Sequence, residues 1–148
     1  MTTDDSQAAA PTINQIVAHN FAQARRRAGL TQQETARRLT RLTGTRWTEV
    51  TVCNAERSVK GTRVKEFRAI ELLAFSELFG MPVARFLLPP ADENAAPAYA
   101  LGPSDTAARI TSRRLLDHVL ARRPKGEYRD LVHEATRTSH NTPASQEA

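Results

Sequence analysis

Hydrophobic positions in residues 12–90 recur every three or four residues, which is the spacing of one face of a helix. The first run consists of Ile13, Ile16, Val17, Phe21 and Ala24. Polar side chains and three consecutive arginines cover the rest of this segment, and Gly29 follows as a predicted C-terminal cap. The pattern therefore predicts a first helix with one buried side.

A second helix is predicted from its capping residues. Thr31 precedes a polar stretch, and Glu34 follows it by three residues, which is the spacing of a capping box. Ala36 and Leu39 then define an inward face, which Leu42 is expected to continue.

The segment "WTEVTVCNAERS", residues 47–58, predicts a third helix that begins at the Thr48 cap. It ends at about Arg57, and Val52 is expected to be buried in its middle. We interpret Trp47, just before the cap, as an apolar anchor in the core. A platform on which a base stacks is the alternative.

Two more helices are predicted after a basic loop, "SVKGTRVKEF". The fourth has a strong apolar face and is capped by Gly80. Pro82 fits the first turn of a short fifth helix, which Pro89 and Pro90 stop. The apolar face of the fourth helix consists of Ile70, Leu73 and Leu78, and it is widened by Leu72, Phe75 and Phe79.

Composition and patterning divide the chain and predict an all-α fold. We expect a flexible arm at 1–11, a helical domain at 12–90, a linker at 91–103, a helical C-terminal region at 104–138 and a disordered tail at 139–148. In the C-terminal region Ser104 is the predicted cap of a helix with an apolar face. No stretch shows the alternation that is typical of a strand.

Composition also limits the classes of protein to consider. Hydrophobic residues make up 40% and charged residues 25% of the chain, as in globular proteins. No apolar run is long enough to span a membrane and no signal peptide is evident, so a cytoplasmic location is expected. Cys53 is interpreted as a packed thiol, with a redox switch as the alternative. The four histidines lack metal-binding spacing, and no catalytic motif appears, so neither an enzyme nor a metal or cofactor is predicted.

Positive charge is concentrated in the predicted helical domain. Residues 12–90 carry thirteen Lys/Arg and six Asp/Glu, whereas residues 91–148 carry eight of each. Nucleic acid is the usual partner of a basic face, so this asymmetry favours a nucleic-acid-binding domain.

The helical domain resembles the helix-turn-helix domain of lambda-repressor-like (Cro/C1 or XRE-type) transcription regulators. The resemblance covers roughly residues 14–88 and depends on "AGLTQQETARRL", "WTEVTVCNAERS" and "FRAIELLAFSELFGMPVARFL", in the family's order. It implies a five-helix DNA-binding domain and a sequence-specific regulator, expected to be a repressor, that binds double-stranded DNA. One departure is "TRLTGTR", which lengthens the second helix and its turn and is similar to actinobacterial members of the family.

The resemblance assigns base reading to the exposed front of the third helix. The assigned residues are Glu49, Val50, Thr51 and Asn54. Asn54 fits adenine, Val50 a thymine methyl group and Glu49 the N4 amine of cytosine. Because phosphates repel a carboxylate, stabilisation of the helix dipole is an equal alternative for Glu49. Glu56, at the end of this helix, is expected to bond locally.

Phosphate contacts are expected on both sides of that helix. They are assigned to Gln32, Arg46, Thr48, Arg57, Lys60, Arg63 and Lys65. Gln32 matches a family position at which the amide and the backbone N–H meet a phosphate. For each basic residue taken singly, a solvated surface position is an equal alternative. The run Arg25-Arg26-Arg27 is a distal phosphate clamp or, as we favour, a soluble helix end.

The role of the C-terminal region is open. From Ala91 onward the chain is too short to bury a large separate core, so the apolar face of residues 106–120 either folds back on the first domain or pairs with another chain. If that face pairs with another chain, residues 104–137 would form a homodimer, as in regulators that bind paired half-sites, or would contact a protein effector. The alternative to a DNA-binding regulator is a protein-interaction module or an antitoxin with the same fold, acting through residues 104–137.

Overall fold

The computed structural model describes residues 10–60, 63–92, 95–104, 106–121 and 126–140. Most of these residues are helical. Five helices come first: α1 (Ile13–Arg27), α2 (Gln32–Thr43), α3 (Glu49–Arg57), α4 (Ala69–Phe79) and α5 (Ala84–Leu87). Two strands, β1 (Ala98–Ala100) and β2 (Arg109–Thr111), then precede α6 (Ser112–Val119) and α7 (Gly126–His140). Residues 1–9 of the predicted arm and residues 141–148 of the predicted tail lie outside the described residues.

Local sequence signals set the ends of the first three helices. Thr12, Thr31 and Thr48 are their N-caps, and each forms a capping box with the residue three positions later. Gly44 closes α2 in the left-handed conformation, at φ 66°, which glycine adopts without strain. The predicted caps at Thr31 and Thr48 are confirmed, and so is the lengthened second helix.

An aromatic cluster fills the space between the first five helices. Phe75 of α4 lies at its centre, with ring centroids 4.5 Å from Phe21, 5.7 Å from Phe86 and 6.1 Å from Trp47. Edge and tilted ring contacts of this kind add to the stabilisation from burial alone. Trp47 is only 5% exposed, so the prediction of an apolar anchor is confirmed.

The buried side of α4 agrees only in part with the predicted apolar face. Phe75 is buried and Leu78 packs partly buried against the core, as predicted, whereas Ile70 and Leu73 are 53% and 62% exposed. Leu42 of α2 is also exposed rather than continuing the inward face. The predictions for Ile70, Leu73 and Leu42 were therefore wrong. In α4 the reason is that apolar residues cover most of the helix circumference, so their spacing does not single out one side.

Residues 98–100 were predicted to belong to a linker and residues 109–111 to a helix, but both segments form strands. Here β1 and β2 form an antiparallel pair, and a parallel bridge joins Ala100 to Thr12 just before α1. Strands of three residues are too short for alternation to be recognised in a sequence. Because β2 takes up residues that were assigned to a helix, Thr111 caps α6 in place of Ser104.

A small second core joins the hairpin and α6 to α1. Ile16 of α1, Tyr99 of β1 and Leu115 of α6 are buried against one another. Of the two placements expected for the apolar face of residues 106–120, folding back on the first domain is observed at Leu115. No helix in the described part of the chain is long and apolar enough to cross a bilayer.

Candidate nucleic-acid interface

Helix α3 has a buried back and an exposed front. Val52 and Ala55 are completely buried on the inner side, as predicted for Val52. Glu49, Val50 and Asn54 are exposed on the outer side, and Val50 reaches 66% exposure. Three of the four residues predicted to read bases therefore share one exposed face.

The fourth predicted reader, Thr51, is half-buried and serves the N-terminal cap of α3. Its backbone N–H donates to Thr48 Oγ1 at 3.2 Å, and the two hydroxyl oxygens lie 2.9 Å apart. These bonds satisfy groups that a helix start otherwise leaves without partners. Thr48 and Thr51 thus hold the first turn of α3 in place.

Glu56 joins the first three helices at the back of this surface. Its carboxylate accepts hydrogen bonds from Arg25 Nε, from Arg25 Nη2 at 3.1 Å and from Gln32 Nε2 at 2.9 Å. The Glu56 side chain is only 8% exposed, and the two-point guanidinium contact fixes the angle between the groups as well as their distance. The expected local bond of Glu56 was wrong, because its partners come from α1 and α2.

Arg25 differs from the other arginines of its run. Besides binding Glu56, it donates from Nη1 to the Leu30 carbonyl at 2.8 Å. Arg26 and Arg27 are exposed, as both a soluble helix end and a phosphate clamp require. A weak signal for Arg25 was present in the sequence, because it follows Phe21 by four residues and so lies beside the apolar face of α1.

Basic side chains lie before and after α3. Arg46 precedes the helix, Arg57 is its last residue, and Lys60 and Arg63 follow in the next segment. All four are exposed. Gln32, at the first position of α2, is half-buried because its amide is directed to Glu56. Exposed basic side chains therefore stand in the chain both before and after α3, whereas the Gln32 amide faces Glu56.

Lys65 is the predicted phosphate-binding residue that the fold directs inward. Its Nζ donates to Glu71 Oε1 at 3.1 Å and lies 5.4 Å from the ring centroid of Trp47 and 5.3 Å from that of Phe67. Its backbone N–H donates to Ser58 Oγ at 2.9 Å. The ammonium group therefore neutralises a buried carboxylate and lies over two aromatic rings.

Other reactive groups contribute little to this surface. Cys53 is a half-buried free thiol on α3. Within the ranges that the structure describes, no three His, Cys, Asp or Glu side chains are grouped as a metal site.

Comparisons with protein-family models, with curated proteins and with solved structures gave no match to this chain.

Proposed function

We propose that this chain is a sequence-specific transcription regulator, acting as a repressor, that places α3 in the major groove of double-stranded DNA. The observation that carries the proposal is the division of α3 into a buried back, Val52 and Ala55, and an exposed front, Glu49, Val50 and Asn54. A helix with its side chains is about 10–12 Å across, and the major groove is about 12 Å wide. Because of the same division of α3 into a buried back and an exposed front, we also propose that α1–α5 form a lambda-repressor-like fold.

Each of the three residues on the exposed front of α3 has a matching group in the groove. Asn54 can bond adenine at two points, Val50 can contact a thymine methyl group, and Glu49 can accept from cytosine N4. For Glu49 the helix dipole remains the alternative. Thr51 contributes mainly through the cap that it shares with Thr48.

The basic residues around α3 supply contacts to the DNA backbone. Arg46, Arg57, Lys60 and Arg63 are exposed on both sides of the reading helix, in a region with thirteen basic and six acidic residues. In this proposal Gln32 meets a phosphate at the start of α2, where backbone N–H groups favour an anion. Lys65 acts indirectly, because its bond to Glu71 shapes the segment that carries Arg63.

Binding of the purified chain to its own upstream DNA and to scrambled DNA, across a salt series, tests this proposal. We expect tighter binding to the upstream DNA, with an affinity that falls steeply as salt rises because counterions are released. Asn54→Ala should lose about 1–3 kcal/mol on the specific site only. Arg63→Ala should weaken binding to both DNAs, and Arg113→Ala, exposed on α6, is the matched control. Weak binding that Arg63→Ala leaves unchanged would contradict the proposal.

A second function is favoured by the exposed apolar face of α7. Tyr128, Leu131 and Val132 are all exposed and lie at the spacing of one helical face. Because exposed apolar patches mark interaction sites, we propose that residues 104–137 form a homodimer that would suit paired half-sites. The alternative occupant is another protein, as in an interaction module, an antitoxin or an effector complex.

The expected location is the cytoplasm, where a bacterial repressor meets its DNA.

Analytical ultracentrifugation of the wild-type chain and Leu131→Asp distinguishes these cases. A wild-type dimer that the substitution dissociates supports the homodimer. A wild-type monomer at micromolar concentration removes it, and the DNA-binding measurement above then decides whether a single chain carries the regulatory function.

A further inference from the structure

A cavity of about 820 Å³ separates the first helices from the C-terminal region. His19, Gln23 and Arg27 of α1 line one side, and Ala96 and Leu116 line the opposite side. The volume is within the range of about 300–1,000 Å³ that small-molecule sites occupy. Among the described residues that line the cavity, none belongs to the surface assigned to DNA.

The floor of the cavity is held by Asn20. This side chain is buried, and its Nδ2 donates to the carbonyls of Phe86 at 3.0 Å and Leu88 at 2.8 Å. The two bonds tie α1 to the end of α5 and satisfy the amide without a ligand. The cavity is therefore formed before anything binds, which lowers the entropic cost of binding.

Part of the cavity wall is apolar and stiff. Leu88, Pro89, Pro90, Pro97 and Leu116 line it together. Proline fixes its own φ angle, so the backbone of this wall has little freedom to close over the space. A wall of this kind favours the apolar body of a ligand, because water leaves both surfaces on contact.

Two arginines line the same cavity. Arg27 comes from the last turn of α1 and Arg85 from α5, and Asp92 is the acidic residue among the described residues of the lining. Among these described lining residues the balance of formal charge is positive. A guanidinium group presents paired N–H donors that match the two oxygens of a carboxylate, which makes arginine well suited to bind that group.

We propose that this cavity binds a small organic carboxylate with an apolar body. Arg27 and Arg85 bind the carboxylate, and Pro97 and Leu116 contact the body. The ligand bridges α1 and α5 to α6, so it stabilises the folded chain in proportion to its occupancy. This inference goes beyond the proposed function and does not depend on DNA binding.

Binding of 1-naphthoate to the full chain tests the inference, with 1-naphthamide as a neutral compound of nearly the same shape. Calorimetry should give saturable one-to-one binding of naphthoate, about tenfold tighter than that of naphthamide. Naphthoate should also raise Tm with increasing concentration. In the double variant Arg27→Gln/Arg85→Gln, naphthoate should bind no more tightly than naphthamide.

Three further variants identify where the probe binds. Ala95→Trp fills the mouth of the cavity from an exposed position and should abolish binding of both compounds, while far-UV circular dichroism and Tm check that the chain is folded. Arg113→Gln removes an exposed guanidinium group outside the cavity and should bind naphthoate like the wild type. Leu131→Asp disrupts the exposed apolar face of α7 and should also leave binding unchanged.

Three outcomes would overturn the proposal. The first is an absence of saturable naphthoate binding up to roughly millimolar concentrations. The second is wild-type affinity in the double arginine variant. The third is binding that survives Ala95→Trp and is lost in Leu131→Asp, because the probe would then adhere to α7.

Discussion

The helices α1–α5 and the region from β1 to α7 are held together in different ways. The first region shares a continuous core of eleven buried hydrophobic residues around Phe75. Among the residues that the structure describes, the second core has three buried members, Ile16, Tyr99 and Leu115, and Ile16 belongs to α1. A segment that buries so little apolar surface by itself cannot offset the entropy lost on ordering. The C-terminal region thus depends on α1, whereas the first five helices form a self-contained core.

The polar contacts show the same difference. Glu56 ties α3 to α1 and α2 through Arg25 and Gln32, so the first region has ionic as well as apolar contacts between its helices. The hairpin is joined to the start of α1 by backbone bonds such as that from the Ala100 N–H to the Pro11 carbonyl, at 2.9 Å. We therefore expect the C-terminal region to open separately and at lower cost.

The largest expected effect is that of Phe75→Ala in the shared core. Phe75 is completely buried and contacts four other aromatic rings, so its truncation should lower the free energy of unfolding by about 3–5 kcal/mol. Urea denaturation followed by circular dichroism measures this loss. Leu73→Ala on the same helix is the control and should change stability by no more than about 0.5 kcal/mol, because Leu73 is exposed. Equal losses in both variants would refute the assigned orientation of α4.

The next largest effect is expected for Glu56→Ala. This change leaves Arg25 without its carboxylate in a mostly buried position, and one-sided removal of such a pair costs about 3 kcal/mol. The same denaturation measurement applies. Glu49→Ala, an exposed acid on the same helix, should have little effect on stability. If the two glutamate variants proved equally stable, Glu56 would not join the helices in solution.

Tyr99→Ala tests the separation of the two regions directly. We expect a loss of about 2 kcal/mol that is confined to the C-terminal region, since Tyr99 is the largest residue of the small core. Hydrogen exchange followed by mass spectrometry should speed up in residues 98–119 and stay slow in α1 and α4. Tyr128→Ala, an exposed tyrosine on α7, is the matched control. Faster exchange throughout α1–α4 would mean that the chain unfolds as one unit.

The smallest effect is expected at the Glu34 capping box. The backbone N–H and then the hydroxyl of Thr31 hold the pKa of Glu34 below its ordinary value of 4.5. A group whose pKa is lower in the folded state stabilises the fold above its unfolded pKa, and this contribution is lost as the pH falls through the folded pKa. Glu34→Ala should therefore lower Tm slightly at neutral pH.

The difference from the wild type should then shrink as the pH falls below 4.5. Thermal unfolding over a pH series measures it. Glu34→Gln keeps a capping acceptor and should lose less stability than Glu34→Ala. A difference that stayed constant down to acidic pH would show that the carboxylate charge does not contribute.

Much of the candidate interface could be predicted because its signals are local. The Thr48 cap, the burial of Val52 and the exposure of Asn54 follow from helical spacing within one segment. The pairing of Glu56 with Arg25 could not be predicted in the same way, because it depends on the angle between α1 and α3. The inward direction of Lys65, which precedes α4, likewise depends on its bond to Glu71 within that helix. In each case the second partner lies outside the local pattern.

By itself, the sequence determined where the capped helices α2 and α3 begin and which side of α3 is apolar, because capping boxes and helical periods join residues only three or four positions apart. Only the tertiary structure decided that Ile70 and Leu73 turn outward, that residues 98–100 and 109–111 pair as strands, and that Arg25 binds Glu56. These outcomes depend on how separate segments compete to bury apolar surface and pair charge, and no local spacing in the chain encodes that competition.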